Sequence, residues 1–207
     1  MRISDEVIKR ASALSSATLH EAGGKIGALP SAIKPISPEY KICGRVTTVQ
    51  SPPSDNLWLH RAIYEAEPGT ILVVDVNGKY EHGYWGEIMA VAAHMRGIQA
   101  LVIDGMVRDR DQMIKMNFPV FSRGLCIRGT GKDFNAFGRI NEPIRIEGIQ
   151  IHPGDLLYGD GDGCIVLPAE KAEEIVKAGE EREAYEEKII ADLKAGASTL
   201  DIYNFRR

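Results

Sequence analysis

Glu87 and the adjacent pair Arg108–Asp109, with twenty residues between them, have side chains and a spacing that could do chemistry. An aspartate offers hard oxygen ligands to Mg²⁺ or Mn²⁺. An arginine can clamp an anion through two parallel hydrogen bonds, or stabilise negative charge that develops during a reaction. The pair is therefore a candidate for both metal binding and anion binding.

Backbone amides next to Glu87 add a second anion-binding element. Because Glu87 opens a helical pattern, the first-turn amides of Ile88 and Met89 are free donors that suit a substrate carboxylate. Gly83 and Gly86 would let a ligand approach the backbone closely. Taken with the Arg-Asp pair, these groups are the parts of a metal-assisted site for an α-keto acid.

Three elements must position these residues. Ile71–Asp75 and Ala100–Ile103 are continuous apolar runs, typical of strands covered on both faces. Between them, Glu87–Arg96 has helical periodicity, with Ile88, Val91, Ala92 and Met95 forming an apolar stripe of the kind that faces a core, and it ends at Gly97. The sequence thus predicts a βαβ unit. Ligands collect at the carboxyl ends of such strands, so both candidate segments should reach the same edge of the sheet.

A purely structural interpretation stays open on spacing alone. An acidic residue in the first turn of a helix commonly stabilises the helix dipole, and this would suffice to explain Glu87. An adjacent Arg-Asp pair is commonly a surface ion pair of little energetic value. The local sequence pattern therefore marks these residues as a candidate site but does not assign a function to them.

The rest of the chain reads as one α/β domain covering residues 1–207. We predict a short helix capped by Ser4, a mostly β region, and a long C-terminal helix over about residues 169–195, followed by a tail of residues 196–207. The remaining predicted elements are helices at Ser4–Leu14, Ala17–Ala22, Asn56–Ala66 and Asp109–Met116, strands at Lys41–Val49 and Phe118–Phe121, and short strands between Leu125 and Leu167.

Charge and hydropathy exclude several classes of protein. The formal net charge of -4 and the absence of a long basic run argue against nucleic-acid binding. No run of eighteen apolar residues occurs, and the polar N-terminus lacks a signal-peptide core, so we expect a cytoplasmic protein without membrane attachment. A small ligand or a protein partner is the favoured interpretation.

Other potential ligands are less persuasive. Cys43, Cys126 and Cys164 are too far apart for a zinc pair and odd in number, so we expect them to be reduced and buried. The segment 129–132, GTGK, lacks the full phosphate-loop pattern, and the segment 160–163, DGDG, is better explained as a tight turn than as a calcium loop. The five histidines lack the spacing of metal ligands, and we interpret them as surface or helix-packing residues: His20, His60, His82, His94 and His152. Of these, His82 borders the proposed loop.

Several segments, in this order, resemble one known family. They are GYWGEIMA from Gly83, RGIQALVIDGMVRDRDQM from Arg96, FPVFSRG from Phe118, PGD from Pro153 and GDGDGCIVLP from Gly159. They are similar to the family of the regulator of ribonuclease activity A and the class II pyruvate aldolases acting on 4-hydroxy-4-methyl-2-oxoglutarate. The tail, with EEKIIADLKAG and LDIYNFRR, is similar to the aldolase branch. The resemblance implies a swivelling β/β/α-type domain that forms a trimer or a dimer of trimers with sites between subunits.

The resemblance also implies roles for individual residues. It places the pyruvyl carboxylate at the four consecutive residues Gly86, Glu87, Ile88 and Met89. It makes Arg108 the contact to substrate oxygens and Asp109 the direct ligand of Mg²⁺ or Mn²⁺, with waters at most other positions. Glu87 stands where the aldolase pattern has aspartate, so it keeps the charge with one extra methylene.

The aldolase pattern further implies a glutamate from the C-terminal helix of a neighbouring subunit. Glu183 is our candidate and Glu186 its substitute, because both interrupt a small or apolar helical stripe. A solvated helix face remains the alternative, since Ile175, Tyr185 and Ile189 define a competing stripe.

These expectations combine into a metal-dependent retro-aldol cleavage of a 4-hydroxy-2-oxo acid to pyruvate. The metal would act as a Lewis acid, Arg108 would stabilise the enolate oxygen, Glu87 would position a water, and the C-terminal glutamate would assist proton delivery. Oxaloacetate decarboxylation passes through the same enolate and is expected as a second activity. A Schiff-base route through Lys79 or Lys115 lacks an apolar setting for the lysine. The alternative function is a non-catalytic, protein-binding regulator of ribonuclease activity on the same fold.

Overall fold

In the computed structural model, residues 2–206 are described, and they contain seven helices and ten strands. The helices are α1 (Asp5–Ser12), α2 (Ser16–Ala22), α3 (Leu57–Glu65), α4 (Glu87–Met95), α5 (Arg110–Lys115), α6 (Ala172–Lys194) and α7 (Thr199–Ile202). The strands are β1 (Lys34–Pro35), β2 (Ile42–Gln50), β3 (Ile71–Asp75), β4 (Ala100–Asp104), β5 (Val120–Ser122), β6 (Arg139–Ile140), β7 (Ile144–Ile146), β8 (Ile149–Ile151), β9 (Leu156–Asp160) and β10 (Gly163–Leu167).

The main sheet has the order β1-β5-β4-β3-β2-β9-β10, with β6 paired to β2. Strands β2 to β5 are parallel, whereas β1, β9 and β10 pair in antiparallel fashion. In the centre Val73 of β3 lies opposite Val102 of β4, and at the carboxyl ends Asp75 lies opposite Asp104. The predicted βαβ unit is therefore confirmed as β3–α4–β4.

Apolar burial explains why β3 and β4 occupy the centre of the sheet. Every residue of both strands is buried, as expected for strands covered on both faces. Each fully buried Val, Leu or Ile side chain contributes about 1.5–3 kcal/mol relative to an exposed one. The rigid centre of the fold therefore lies directly beneath the segments that carry the candidate site.

The sheet curls until its two ends approach each other. The Nζ of Lys34, in β1, donates to the carbonyl of Asp162, in the turn between β9 and β10. A Cβ at Gly159 of β9 would lie 3.1 Å from Cε1 of Phe121 in β5, so those two strands face each other across the interior. The fold is a mixed α/β structure with a long C-terminal helix, as predicted, and its sheet is nearly closed.

The N-terminal helices and α6 form a second layer over β9 and β10. Ser4 caps α1 by accepting from the amide of Val7, as predicted. Asp160 accepts from the amide and the hydroxyl of Ser16 at the start of α2, at 3.0 and 2.7 Å. The segment 160–163 is thus the tight turn between β9 and β10, as predicted, and it also caps a helix.

One predicted helix presents a different face from the one expected. The stripe Ile88, Val91 and Met95 in α4 was expected to face the core, yet Ile88 is 81% and Met95 78% exposed. The core contacts of α4 come instead from Met89 and its small buried neighbours Ala90 and Ala93. Small side chains let the helix lie close to the sheet, which leaves the larger stripe pointing outward.

The cysteines are free, and two of the three are buried as expected. Burial raises the pKa of Cys43 to about 12. Burial also raises the pKa of Cys164, and the nearby Asp160 carboxylate adds a smaller increase. Cys126 is only partly buried, because it lies in the irregular segment after β5.

Within residues 2–206 no helix combines the length and apolar character that crossing a bilayer requires.

Candidate active site

Three extended segments form a short hydrogen-bonded ladder above the carboxyl ends of β3 and β4. The amide of Tyr84 donates to the carbonyl of Met106 at 3.0 Å, and the amide of Arg108 donates to the carbonyl of Trp85 at 2.9 Å. On the other side, the amide of Cys126 donates to the carbonyl of Val107 at 2.9 Å. The ladder fixes the backbone on both sides of Arg108.

A buried ion pair anchors the base of this ladder. Asp104, at the end of β4, accepts from Nε of Arg123 at 2.6 Å, and the guanidinium lies 4.0 Å over the ring of Tyr80. Burial raises the pKa of Asp104, and the Arg123 guanidinium opposes that rise. Since the amide of Arg123 also donates to the carbonyl of Gly105 at 2.9 Å, the loop leaving β4 is held at its start.

Asp109 has an uncommon backbone conformation at the first position before α5. Its φ of 58° and ψ of 39° lie in the left-handed region, which aspartate tolerates better than most residues. Its side chain makes no capping bond to its own helix. The carboxylate turns instead toward α4, where its Oδ2 accepts from the amide of Glu87 at 3.1 Å.

Gly86 permits this approach of Asp109 to α4. A Cβ at Gly86 would overlap Oδ2 of Asp109 and lie 3.2 Å from Cγ of Arg108. The side chains of Arg108 and Asp109 lie 3.8 Å apart, Nε to Oδ2, and are 48% and 39% exposed. An ion pair this open contributes little to stability. Both side chains therefore remain available to a ligand.

A cavity of about 250 Å³ opens between this pair and α4. Gly86, Ile88, Met89, Arg108 and Asp109 line it, so the structure brings these five residues together, while the roles assigned to them stay predictions. Within residues 2–206 the amides at positions 88 and 89 have no acceptor, which leaves the first turn of α4 free to bind a carboxylate.

A second part of the cavity lining, here called the far wall, contains residues that sequence reasoning missed. Asn56 directly precedes α3, and His60 lies within it. Thr130 and Lys132 come from the segment 129–132. That segment was compared only with a phosphate loop, and His60 was interpreted as a packing residue. The structure places His60 and this segment at the cavity, because contacts distant in sequence bring them together.

His60 and Lys132 determine the charge of the far wall. Burial lowers the pKa of His60, the neighbouring Lys132 lowers it further, and Asp55 partly opposes both effects. The imidazole is therefore neutral at pH 7 and able to accept a proton, while the lysine carries positive charge. Such a wall suits a second anionic group of a substrate.

Asn56 is a buried side chain of the cavity whose orientation is fixed. It is buried, and its Nδ2 donates to the carbonyl of Tyr84 at 2.9 Å, which fixes the orientation of the amide. Its Oδ1 is buried and has no partner among the described residues. A buried acceptor without a donor is uncommon in a folded protein and is expected where a ligand or an ordered water binds.

Three predicted acidic residues are outside this cavity in the single chain. The amide of Glu87 contacts Asp109, but the Glu87 side chain is exposed and does not line the cavity. Glu183 lies in a groove between α1 and α6, where its Oε1 accepts from the hydroxyl of Thr18 at 3.3 Å. Glu186 pairs with Arg182 at 2.8 Å on the surface of the same helix. A contribution of Glu183 to a neighbouring subunit's site stays a prediction.

The donor set fits a hydrated divalent cation held by one carboxylate. Residues 2–206 contain no group of three His, Cys, Asp or Glu side chains placed to hold a metal ion together. Mg²⁺ commonly binds through one or two carboxylates and keeps several waters or substrate oxygens. The partly exposed Asp109 carboxylate, with one oxygen not engaged by α4, matches this mode and not that of a closed zinc site.

Comparisons with known proteins agree on one family. The family model described as RraA-like, Aldolase/RraA, matches residues 2–166. A Halalkalibacterium halodurans protein named "Putative 4-hydroxy-4-methyl-2-oxoglutarate aldolase" is 36% identical over 159 residues, covering 77% of this chain and 75% of that protein.

Solved structures extend the likeness to the whole chain. An uncharacterized protein from Pseudomonas syringae pv. tomato superposes with a TM-score of 0.86 at 32% identity, covering 100% of this chain and 96% of that one. Streptomyces coelicolor RraAS2, described as an unusual member of the RNase ES inhibitor RraA protein family, gives a TM-score of 0.78 at 26% identity, covering 92% and 100%. With the family model matching most of its length, the chain belongs to the RraA-like, Aldolase/RraA family.

Proposed function

We propose that the protein is a lyase that cleaves a 4-hydroxy-2-oxo acid to pyruvate with the help of Mg²⁺ or Mn²⁺, and that it decarboxylates oxaloacetate as a second activity. The observation that supports this most directly is the meeting of Arg108, Asp109 and the first turn of α4 in one cavity. The named aldolase among the relatives supports the same reaction class.

The chain's own groups suggest how a substrate is held. The free amides at positions 88 and 89 bind the C1 carboxylate at the N-terminus of α4. Arg108 lines the same cavity and binds the oxygen on C2. Lys132 offers positive charge to a second carboxylate at the far end of the substrate. This arrangement favours 2-oxo acids with two carboxylates.

Bond cleavage needs a proton acceptor and a group that stabilises an enolate. The acceptor removes the proton of the C4 hydroxyl, the C3–C4 bond breaks, and its electron pair forms the enolate of pyruvate. Protonation at C3 then gives pyruvate. Neutral His60 can accept the hydroxyl proton directly, and Glu87 can position a water that does so, as the sequence predicts.

Arg108 stabilises the negative charge on the enolate oxygen, because its half-exposed guanidinium has no stronger partner than the 3.8 Å contact to Asp109. The cation that Asp109 would hold supplies Lewis-acid polarisation of the 2-oxo group. In oxaloacetate, loss of CO₂ from C4 leaves the same enolate, which is why the second activity belongs to the proposal.

We further propose a homo-oligomer, a trimer or a hexamer, with the site between subunits. Ile88 of the outward α4 stripe lies beside Arg108 and Asp109, and on a second cleft against the same pair lie Leu125 and Ile127, which are also exposed. A contiguous apolar surface beside a site is typical of a protein interface. A neighbouring subunit seated there would close the cavity and could contribute Glu183.

The test is pyruvate release from 4-hydroxy-4-methyl-2-oxoglutarate and from oxaloacetate, with Mg²⁺ or Mn²⁺, before and after EDTA. Activity should depend on the metal and fall strongly in Arg108→Ala and Asp109→Asn. If purified wild-type protein releases no pyruvate from either substrate, the lyase proposal is wrong. A protein-binding regulator, as the Streptomyces relative's description suggests for that protein, would then be the better interpretation.

A further inference from the structure

Asp55 is a buried carboxylate between the two segments that form the far wall of the cavity. Its residue is 4% exposed, and it is not itself among the residues lining the cavity. Its Oδ1 accepts from the amide of Leu57, in the first turn of α3, at 2.8 Å. Its Oδ2 accepts from the amide of Asp133 at 2.6 Å. One side chain thus holds two segments that are more than seventy residues apart in sequence.

The segment 129–133, here called the strap, is joined to residues 54–56 by a short parallel bridge. The amide of Gly131 donates to the carbonyl of Ser54 at 2.8 Å, and the amide of Asn56 donates to the carbonyl of Gly131 at 3.3 Å. The backbone bonds end there. Beyond position 131, the Asp55 carboxylate ties the strap to α3 through the amide of Asp133, and just after the strap Nε1 of Trp58 in α3 donates to the carbonyl of Ala136 at 3.0 Å.

The residues next to these bonds are the ones that line the cavity. Asn56 follows Asp55 directly, and His60 lies one helical turn further along α3. Thr130 and Lys132 belong to the strap, and Lys132 immediately precedes the amide that Asp55 binds. The width of the cavity between these two groups therefore depends on the Asp55 bonds.

We propose that Asp55 is a positioning residue that sets Asn56 and His60 against Lys132 in the far wall, and so fixes where the distal part of the substrate binds. The inference rests on the proposed lyase function for its kinetic consequences. A buried carboxylate that accepts two backbone N–H groups is strongly bound on both sides, which makes it a rigid spacer.

The substitution Asp55→Asn tests this role with almost no change in volume. The asparagine oxygen can still accept from one amide, but its NH₂ must face the other N–H group, donor against donor. The strap should then move away from α3. Because a misplacement of about 1 Å can reduce a rate about 100-fold, we expect kcat/KM for oxaloacetate to fall about 10- to 100-fold, mainly through a higher KM.

Asp155 provides a matched control elsewhere in the fold. It is also 4% exposed, and its carboxylate also accepts from two backbone amides, those of His152 at 2.8 Å and Ala169 at 3.0 Å. It does not line the cavity. Asp155→Asn should therefore lower the unfolding free energy as much as Asp55→Asn does, while kcat and KM stay within about twofold of the wild type.

Hydrogen exchange followed by mass spectrometry supplies a readout that does not depend on catalysis. In Asp55→Asn, peptides covering residues 129–135 should exchange faster, whereas in Asp155→Asn they should exchange at the wild-type rate. The positioning role is overturned if exchange in this segment is unchanged in Asp55→Asn. It is also overturned if both variants change KM equally. Absence of wild-type turnover would instead count against the lyase proposal, and the exchange experiment would still decide whether Asp55 holds the strap.

Discussion

Replacing Gly86 with alanine should separate the Asp109 carboxylate from the first turn of α4. The backbone of Gly86 has φ -157° and ψ -169°, an extended conformation that alanine adopts without strain. The obstacle is contact: the new methyl group would overlap Oδ2 of Asp109 and crowd Cγ of Arg108 at 3.2 Å. The carboxylate must therefore move by about 1 Å to restore an ordinary nonbonded separation.

The size of the effect follows from what that movement breaks. Asp109 loses the hydrogen bond from the amide of Glu87, and a bond to a charged group is worth about 1.5–3 kcal/mol. Since the Asp109 side chain is 39% exposed, the lower end of that range applies, which is about a tenfold effect. Adding the misplacement of the reacting groups, we expect kcat/KM to fall about 10- to 100-fold.

The assay measures pyruvate release at several Mn²⁺ concentrations and Mn²⁺ affinity by electron paramagnetic resonance. The unfolding free energy should change by less than about 1 kcal/mol, because a half-exposed carboxylate can swing into solvent. Gly129→Ala is the matched control, since Gly129 lines the same cavity and a Cβ there meets no atom within 4 Å. If Gly86→Ala keeps wild-type turnover and Mn²⁺ affinity, Asp109 does not act from its position against α4.

Three further predictions follow from other features. The Asp109→Asn variant should keep the left-handed backbone and the fold. Its metal-dependent turnover should fall at least about 100-fold, which corresponds to an activation barrier about 3 kcal/mol higher. Equal turnover with and without EDTA would contradict this prediction. Met95→Glu should leave the monomer stable but dissociate the oligomer in sedimentation velocity runs, because Met95 is exposed and apolar. Because burial and then Lys132 lower the pKa of His60, the folded state binds that proton less readily than the unfolded state. Stability should therefore decrease as pH falls below about 6.5, and His60→Gln should remove this decrease in urea titrations.

The elements that the sequence predicted well are those with strong local patterns. Ile71–Val74 and Ala100–Ile103 are unbroken apolar runs, and such runs have few alternatives to a buried central strand. The Arg108–Asp109 pair could be placed near the carboxyl edge of the sheet for the same reason, since it follows one of these strands within a short loop, while its role stays a prediction. Helix α4 was also predicted correctly as a helix, but periodicity alone cannot say which apolar face meets the core when small residues occupy the other face.

The far wall of the cavity could not be predicted because no local pattern specifies it. His60 lies on a helix, and Lys132 lies in an irregular segment about seventy residues later. Their approach depends on the backbone bridge at Gly131 and on the Asp55 carboxylate, both of which are contacts distant in sequence. An aspartate directly before a helix is ordinarily expected to cap that helix alone, so its second bond to the strap had no visible signal.

The backbone at Asp109 also limits how this position can change during evolution. Gly, Asn and Asp adopt a φ near 58° more readily than other residues, so most other replacements would weaken the fold as well as the chemistry. Of those three residues, Asp alone supplies a charged oxygen. A relative that has given up metal chemistry while keeping its structure should therefore have Asn or Gly at this position, and that single letter should separate catalytic from purely regulatory members of the family.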